Sequence, residues 1–221
     1  MIILILSLDD TDEGTDFAAN AASPADVASF MMDNYPHLTS ADTDAINAQY
    51  PLMPPLPAHA AYYPSAAAAY GETTFTCVGN FIASVYAKSW SPSRVWNYRY
   101  NVQMDGYIAA GLGVPHTIES EAIFGVGNVN DDANAEAETG YTTYNTEIVP
   151  VVMNYYISFI RDLNPNRYKY EGAPQWESFG DGEDGGNRLM FQTNATAMEQ
   201  IPQGQVARCE FWKSLALEME Q

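Results

Sequence analysis

Two short segments hold the residue types that acid–base chemistry needs. In GVPHTIESEAIFG, residues 113–125, His116 follows a proline and stands three residues before Glu119. In DTDEGTDF, residues 10–17, Glu13 lies in an acidic, glycine-bearing turn directly after an apolar run. A histidine can serve as a general base near neutral pH, bind a metal, or sit as an ordinary polar residue at a helix start. On residue chemistry alone the last of these leads for His116, with general base as the alternative.

Metal chemistry fits the pattern poorly. Asp9, Thr11, Glu13 and Gly14 loosely follow the start of a calcium loop, but the twelfth position, which needs a bidentate glutamate, is Asn20. For zinc, His37, His59 and His116 are widely separated, and neither Cys-x-x-Cys nor His-Glu-x-x-His occurs. No metal and no cofactor are expected. A nucleophilic mechanism needs a serine as well. The order along the chain in one large class of hydrolases is serine, then acid, then histidine, and Glu13 followed by His116 fits its second and third members. No serine here has glycine two residues before and two after it, so the Gly-x-Ser-x-Gly elbow is absent.

The elements that must position these residues are a mixture of strands and helices. Ile- and Leu-rich residues 2–8 read as a strand buried on both faces, with Glu13 just past its end, where open α/β sheets place their sites. Ser23-Pro24 opens a helix that runs to about Tyr35, and a second helix covers 41–49. The proline-rich PLMPPLPAHAAYYP is an extended surface loop. A helix from Gly71 to about Lys88 carries Cys77. VWNYRYNVQ, residues 95–103, reads as a strand, 104–115 as a loop delivering His116, and 118–124 as a helical turn. The acidic run 131–140 reads as a loop, 146–163 as a long, partly buried helix, ESFGDGEDGGN as a turn and RLMFQTN as a strand. An amphipathic helix from about Gln205 carries Cys209.

The 221 residues carry 28 acidic and 9 basic side chains, a net charge of −19, and no lysine or arginine precedes Lys88. Such a chain repels nucleic acid and anionic membranes. At 47% hydrophobic residues it can build a core. The opening apolar run is too short, and lacks the preceding basic residues, to be a signal peptide or a transmembrane segment. A chain that opens on a core strand is expected to be a piece of a longer protein, or to start downstream of the true beginning.

Several blocks together resemble the type-B carboxylesterase/lipase family of the α/β-hydrolase fold, which includes cholinesterases and fungal lipases. DTDEGTDF is similar to the family's block for the triad acid, and GVPHTIESEAIFG to its histidine block. ETTFTCVGNFIA and ARCEFW are similar to two cysteine blocks. YTTYN, IVPVVMNYYISFIRDLNPN, APQWESFG and RLMFQTNATAM resemble its C-terminal portion, especially in the fungal branch. The resemblance spans about residues 3 to 213. It implies that 1–221 is a single partial domain, the C-terminal part of a mostly parallel sheet flanked by helices, with the N-terminal half missing. It implies Glu13 as the triad acid, His116 as the base, and a Cys77–Cys209 disulfide. With the Asn194-Ala195-Thr196 glycosylation sequon, that disulfide implies a secreted, glycosylated full-length protein. The expected partner is a carboxylic ester, acyl or lipid. The nucleophile serine and the oxyanion loop would lie in the missing half, so the isolated chain should be inactive, and poorly soluble or dependent on its missing half. The alternative is a non-catalytic relic or interaction protein of the same fold. Nothing in the sequence specifies the ester or the oligomeric state.

Overall fold

The computed structural model describes residues 5–129, 135–180 and 185–220; the side chains of 5–8 and 135–138 lie outside that description. A four-stranded sheet runs in the order β1-β2-β3-β4. Strands β1 (Ile5–Asp10), β2 (Val95–Tyr100) and β3 (Asn187–Phe191) are parallel, and β4 (Ala197–Gln200) returns antiparallel along β3. The β1–β2 register pairs Ile5 with Val95 and Asp10 with Tyr100, so both strands end at one level. β1 is an outer strand, paired only with β2 among the described residues.

Alternation along β2 sorts its side chains between two layers. Trp96, Tyr98 and Tyr100 enter a large aromatic core with Tyr155, Trp176, Leu189 and Phe191. Val95 faces the opposite way, onto Ala83 and Ala87, and Asn97 donates to Asn80 Oδ1 at 2.7 Å. The aromatic core is closed by helix α8 (Ile148–Asp162), which ends at Leu163 in a left-handed conformation just before Asn164-Pro165. A smaller core joins α1 (Pro24–Asn34), α2 (Ser40–Gln49), α3 (Tyr63–Gly71) and α9 (Gln203–Ser214) around Met31, Ile46, Ala66 and Trp212. Ser23 and Thr39 cap α1 and α2, each in a reciprocal box with the aspartate three residues on.

The expected helix from Gly71 is longer and less regular than its periodicity indicates. It begins at Tyr63 with Pro64 in the first turn, passes through a π-helical turn (Glu72–Thr76), and continues as α4 (Cys77–Ser89). The expected loop 104–115 holds a short helix, α5 (Asp105–Ala110), which Gly111 ends at φ 76°. Within the acidic run, α7 (Ala135–Thr142) is helical where a loop was expected; its acids are separated by alanines, which favour helix. The turn expected over 118–124 is α6 (Ser120–Phe124). Residues 2–4, 131–134 and 181–184 of the expected strand, loop and turn lie outside the described residues. Val78, Phe81, Ile82 and Val85 form an exposed apolar face on α4. No described helix is long and apolar enough to cross a membrane.

Candidate active site

The C-terminal ends of β1 and β2 face the same side, and there the chain turns back on itself. After Asp10 the backbone forms a compact turn in which Thr15 donates from both N–H and hydroxyl to the Asp12 carbonyl, at 3.0 and 2.8 Å. This turn brings Glu13 back under the strand end, where its Oε1 accepts the Asp10 N–H at 2.7 Å. Gly14 is required by packing. A Cβ there would meet the Ala67 carbonyl oxygen at 2.0 Å and the Gly71 nitrogen at 2.7 Å, so helix α3 presses directly against the turn.

A second segment, residues 112–117, is laced to that turn. Asp12 N donates to the Val114 carbonyl at 3.0 Å, and Val114 N donates to Asp12 Oδ2 at 2.9 Å. Gly113 sits at φ +69° with Asp12 Oδ2 where a Cβ would go, at 2.1 Å, so only glycine fits. Thr117, a β-branched residue at φ 69°, is held by donation of its N–H to Asp10 Oδ2 at 2.9 Å.

Between these anchors lies His116. Its Nδ1 stands 2.5 Å from Glu13 Oε2. The Glu13 side chain is 2% exposed and that of His116 31%. The hydrogen bond to Glu13 pulls the His116 pKa upward, against the opposing effect of burial. With Nδ1 engaged, Nε2 is the ring atom left for chemistry; among the described residues nothing hydrogen-bonds it. Phe75 and Phe17 pack against the imidazole with ring centroids at 4.5 and 5.5 Å, and Phe17 is 44% exposed. A histidine held by an acid at Nδ1, with its second ring nitrogen unengaged and an apolar flank, can act chemically as a general base.

Asp10, Glu13 and His116 are the group of potential metal-binding side chains that comes close together among the described residues, with one ligand-type atom of each within 4.8 Å of the others. The inward nitrogen of His116 and both oxygens of Glu13 are already occupied by protein partners, which describes an oriented acid–histidine pair better than a ligand set. The other histidines are elsewhere: His59 bonds the Ala110 carbonyl and stacks on Tyr63, and His37 pairs with Glu220 at the surface.

Cys77 and Cys209 are joined, S–S 2.03 Å, tying the start of α4 to α9. Beside that bridge, Arg208 and Tyr50 both bond Glu72 at the head of the π-helical turn that carries Phe75. Asn194 is exposed in the turn between β3 and β4. The supporting side chains Asp10, Asp12 and Glu119 were not singled out as site residues from sequence. Their signal was present, as acids directly flanking an apolar strand and the histidine block.

The chain matches no family profile. It is 23% identical over 214 residues to Secreted lipase 4 of Gibberella zeae, an alignment covering 91% of this chain and 34% of that protein. Its fold superposes on the crystal structure of Aspergillus niger EstA with a TM-score of 0.91 at 49% identity, covering 99% of this chain and 41% of that one. The chain therefore spans 34% and 41% of the length of these two relatives. The mixed sheet flanked by helices is shared with an esterase of the α/β-hydrolase fold.

Proposed function

We propose that this chain supplies the triad acid, Glu13, and the general base, His116, of a serine carboxylic-ester hydrolase. The observation that carries the reading is the 2.5 Å contact between buried Glu13 and the inward nitrogen of His116 at the C-terminal end of a parallel strand. Likeness to a secreted lipase and to EstA supports the same chemistry. The nucleophile and the oxyanion donors then come from residues outside these 221. In support, no Gly-x-Ser-x-Gly is present, and the β1 edge, unpaired among the described residues, and the apolar α4 face are surfaces that further layers of one larger domain would cover.

In the complete site His116 Nε2 takes the serine proton as the hydroxyl attacks the ester carbonyl. Glu13 holds the tautomer with the proton on Nδ1 and stabilises the imidazolium that forms. His116 then returns the proton to the leaving alkoxide, and a water repeats the cycle on the acyl-enzyme. Phe17 and Phe75 beside the ring favour an ester with an apolar group on the side facing them. The disulfide and the exposed Asn194 sequon support a secreted, glycosylated protein. The non-catalytic interaction protein is favoured only by the exposed α4 face. Expression of the chain joined to a segment bearing Gly-x-Ser-x-Gly tests the proposal. Sustained turnover of a p-nitrophenyl ester, lost in His116→Ala, is the expected result; turnover unaffected by His116→Ala rejects it.

A further inference from the structure

Behind Glu13 and His116 lie two more carboxyl groups that the mechanism above does not use. Asp10 is 1% exposed and Glu119 5%. Each places one oxygen on a defined donor: Asp10 Oδ2 accepts the Thr117 N–H at 2.9 Å, and Glu119 Oε1 accepts the Tyr98 hydroxyl at 3.3 Å. The two carboxyl groups are near enough for each to act on the other's titration. Yet Asp10 Oδ1 and Glu119 Oε2 are both buried with no donor among the described residues. Two carboxylates cannot satisfy one another, because each offers only acceptors, and two adjacent buried negative charges repel. A single proton between those two oxygens removes both faults at once.

We propose that Asp10 is a neutral carboxylic acid that donates a hydrogen bond to Glu119, and that this pair is the positioning device for Glu13 and His116. Asp10 is the member that carries the proton. Burial and the neighbouring Glu119 and Glu13 charges push it well above the ordinary carboxyl range; burial raises Glu119 too, but there donation from Asp10 works against the rise. As an acid, Asp10 keeps Oδ2 as acceptor for the strained Thr117 N–H, so it fixes the residue after His116. Through its backbone N–H it also fixes Glu13. The groups facing the pair are the hydroxyls of Tyr98, Tyr100, Tyr141 and Tyr156, the Glu13 carboxylate and, beyond it, the His116 ring. Tyr141 closes the arrangement by donating to the Ile118 carbonyl at 3.0 Å. A charged Asp10 would add a second buried negative charge that repels Glu13.

The positioning role rests on the acid–base reading of Glu13 and His116; the shared proton does not. Infrared spectroscopy of the 221-residue chain tests the proton. At a pH above the value of about 7 reached by Asp9, a buried carboxylic-acid C=O band is expected. It should vanish in Asp10→Asn and survive in Asp9→Asn and Glu119→Gln. Proton NMR tests positioning through the far-downfield Nδ1–H signal of His116. That signal should persist in Asp10→Asn, whose amide donates and accepts at the same two places, and disappear in Asp10→Leu. Absence of the band from the parent chain, or its survival in Asp10→Asn, overturns the shared proton even where Asp10→Leu fails to fold. Loss of the His116 signal in the conservative Asp10→Asn, or its retention in a folded Asp10→Leu, overturns the positioning role. Failure of ester hydrolysis in the joined protein leaves both spectra as expected, which separates the two proposals.

Discussion

Glu13 Oε2 meets His116 Nδ1 at 2.5 Å across 103 residues of sequence, and neither residue gets there on its own. Glu13 is delivered by a strand end and a glycine turn wedged under α3. His116 is delivered by a loop whose N–H groups on either side, at Val114 and Thr117, are bound by Asp12 and Asp10.

Glu13→Gln keeps the shape and removes the charge. In the chain joined to a Gly-x-Ser-x-Gly-bearing segment, kcat is expected to fall on the order of 10⁴-fold with little change in KM. In the same variant the NMR titration midpoint of His116 should move down, because the Glu13 hydrogen bond is the main cause of its upward shift. The sign for activity follows. A base works as the neutral ring, so hydrolysis is lost as pH falls through the raised His116 value, and that acid limb should move to lower pH in Glu13→Gln.

The isolated 221-residue chain is expected to show no p-nitrophenyl ester turnover above background, since serine and oxyanion donors are both needed for large rate gains. Sustained turnover by the chain alone that His116→Ala abolishes would contradict this.

Gly14→Ala places a methyl group against the Ala67 carbonyl, and Gly71→Ala places one 2.7 Å from the Gly14 nitrogen. Backbone lies on both sides, so neither clash can relax by a rotamer change. Each substitution should destabilise by about 3 kcal/mol and weaken the His116 Nδ1–H signal. Denaturant midpoints indistinguishable from the parent would show that α3 does not pin the turn.

The disulfide closes a loop of 132 residues. Loop-closure entropy assigns it about 5 kcal/mol, less any native strain. Cys77→Ser with Cys209→Ser should lower stability by that order in chemical denaturation. Two free thiols on peptide mapping of secreted material would remove the premise.

Asp9 is pushed up to about 7 because burial outweighs the Arg188 guanidinium 3.4 Å away. A carboxyl raised in the folded state favours folding below its unfolded value and loses that contribution as pH rises through the folded one. Stability should therefore fall between about pH 4 and pH 7, and Asp9→Asn should flatten that part of the curve. An unchanged slope in Asp9→Asn would assign the effect to other groups.

Much of the architecture was legible because local signals and tertiary demand agreed. Ser23 with Asp26 and Thr39 with Asp42 mark helix starts by side chains within one turn, and the apolar period of 146–163 matches a helix with one wet face. α5 was missed because six residues that include a glycine carry too little periodicity. β4 was missed because its four residues gain their pairing only from β3, far weaker locally than the turn before them. In the candidate site, Glu13, His116 and the cysteine pair come from block resemblance, whereas spacing alone leaves His116 an ordinary polar residue.

What the sequence determined by itself is the inventory: an acidic chain with enough apolar residues for a core, an acid ahead of a histidine, two cysteines, and no Gly-x-Ser-x-Gly. Only the tertiary structure decided which groups meet. Contacts across a hundred residues depend on strand register and on helix α3 filling the space beside Gly14, and neither is written in local propensity. Burial decided the rest. Asp10 and Glu119 look like any surface acids in sequence, and only the fold takes the water away from both and leaves each with an unsatisfied buried oxygen among the described residues.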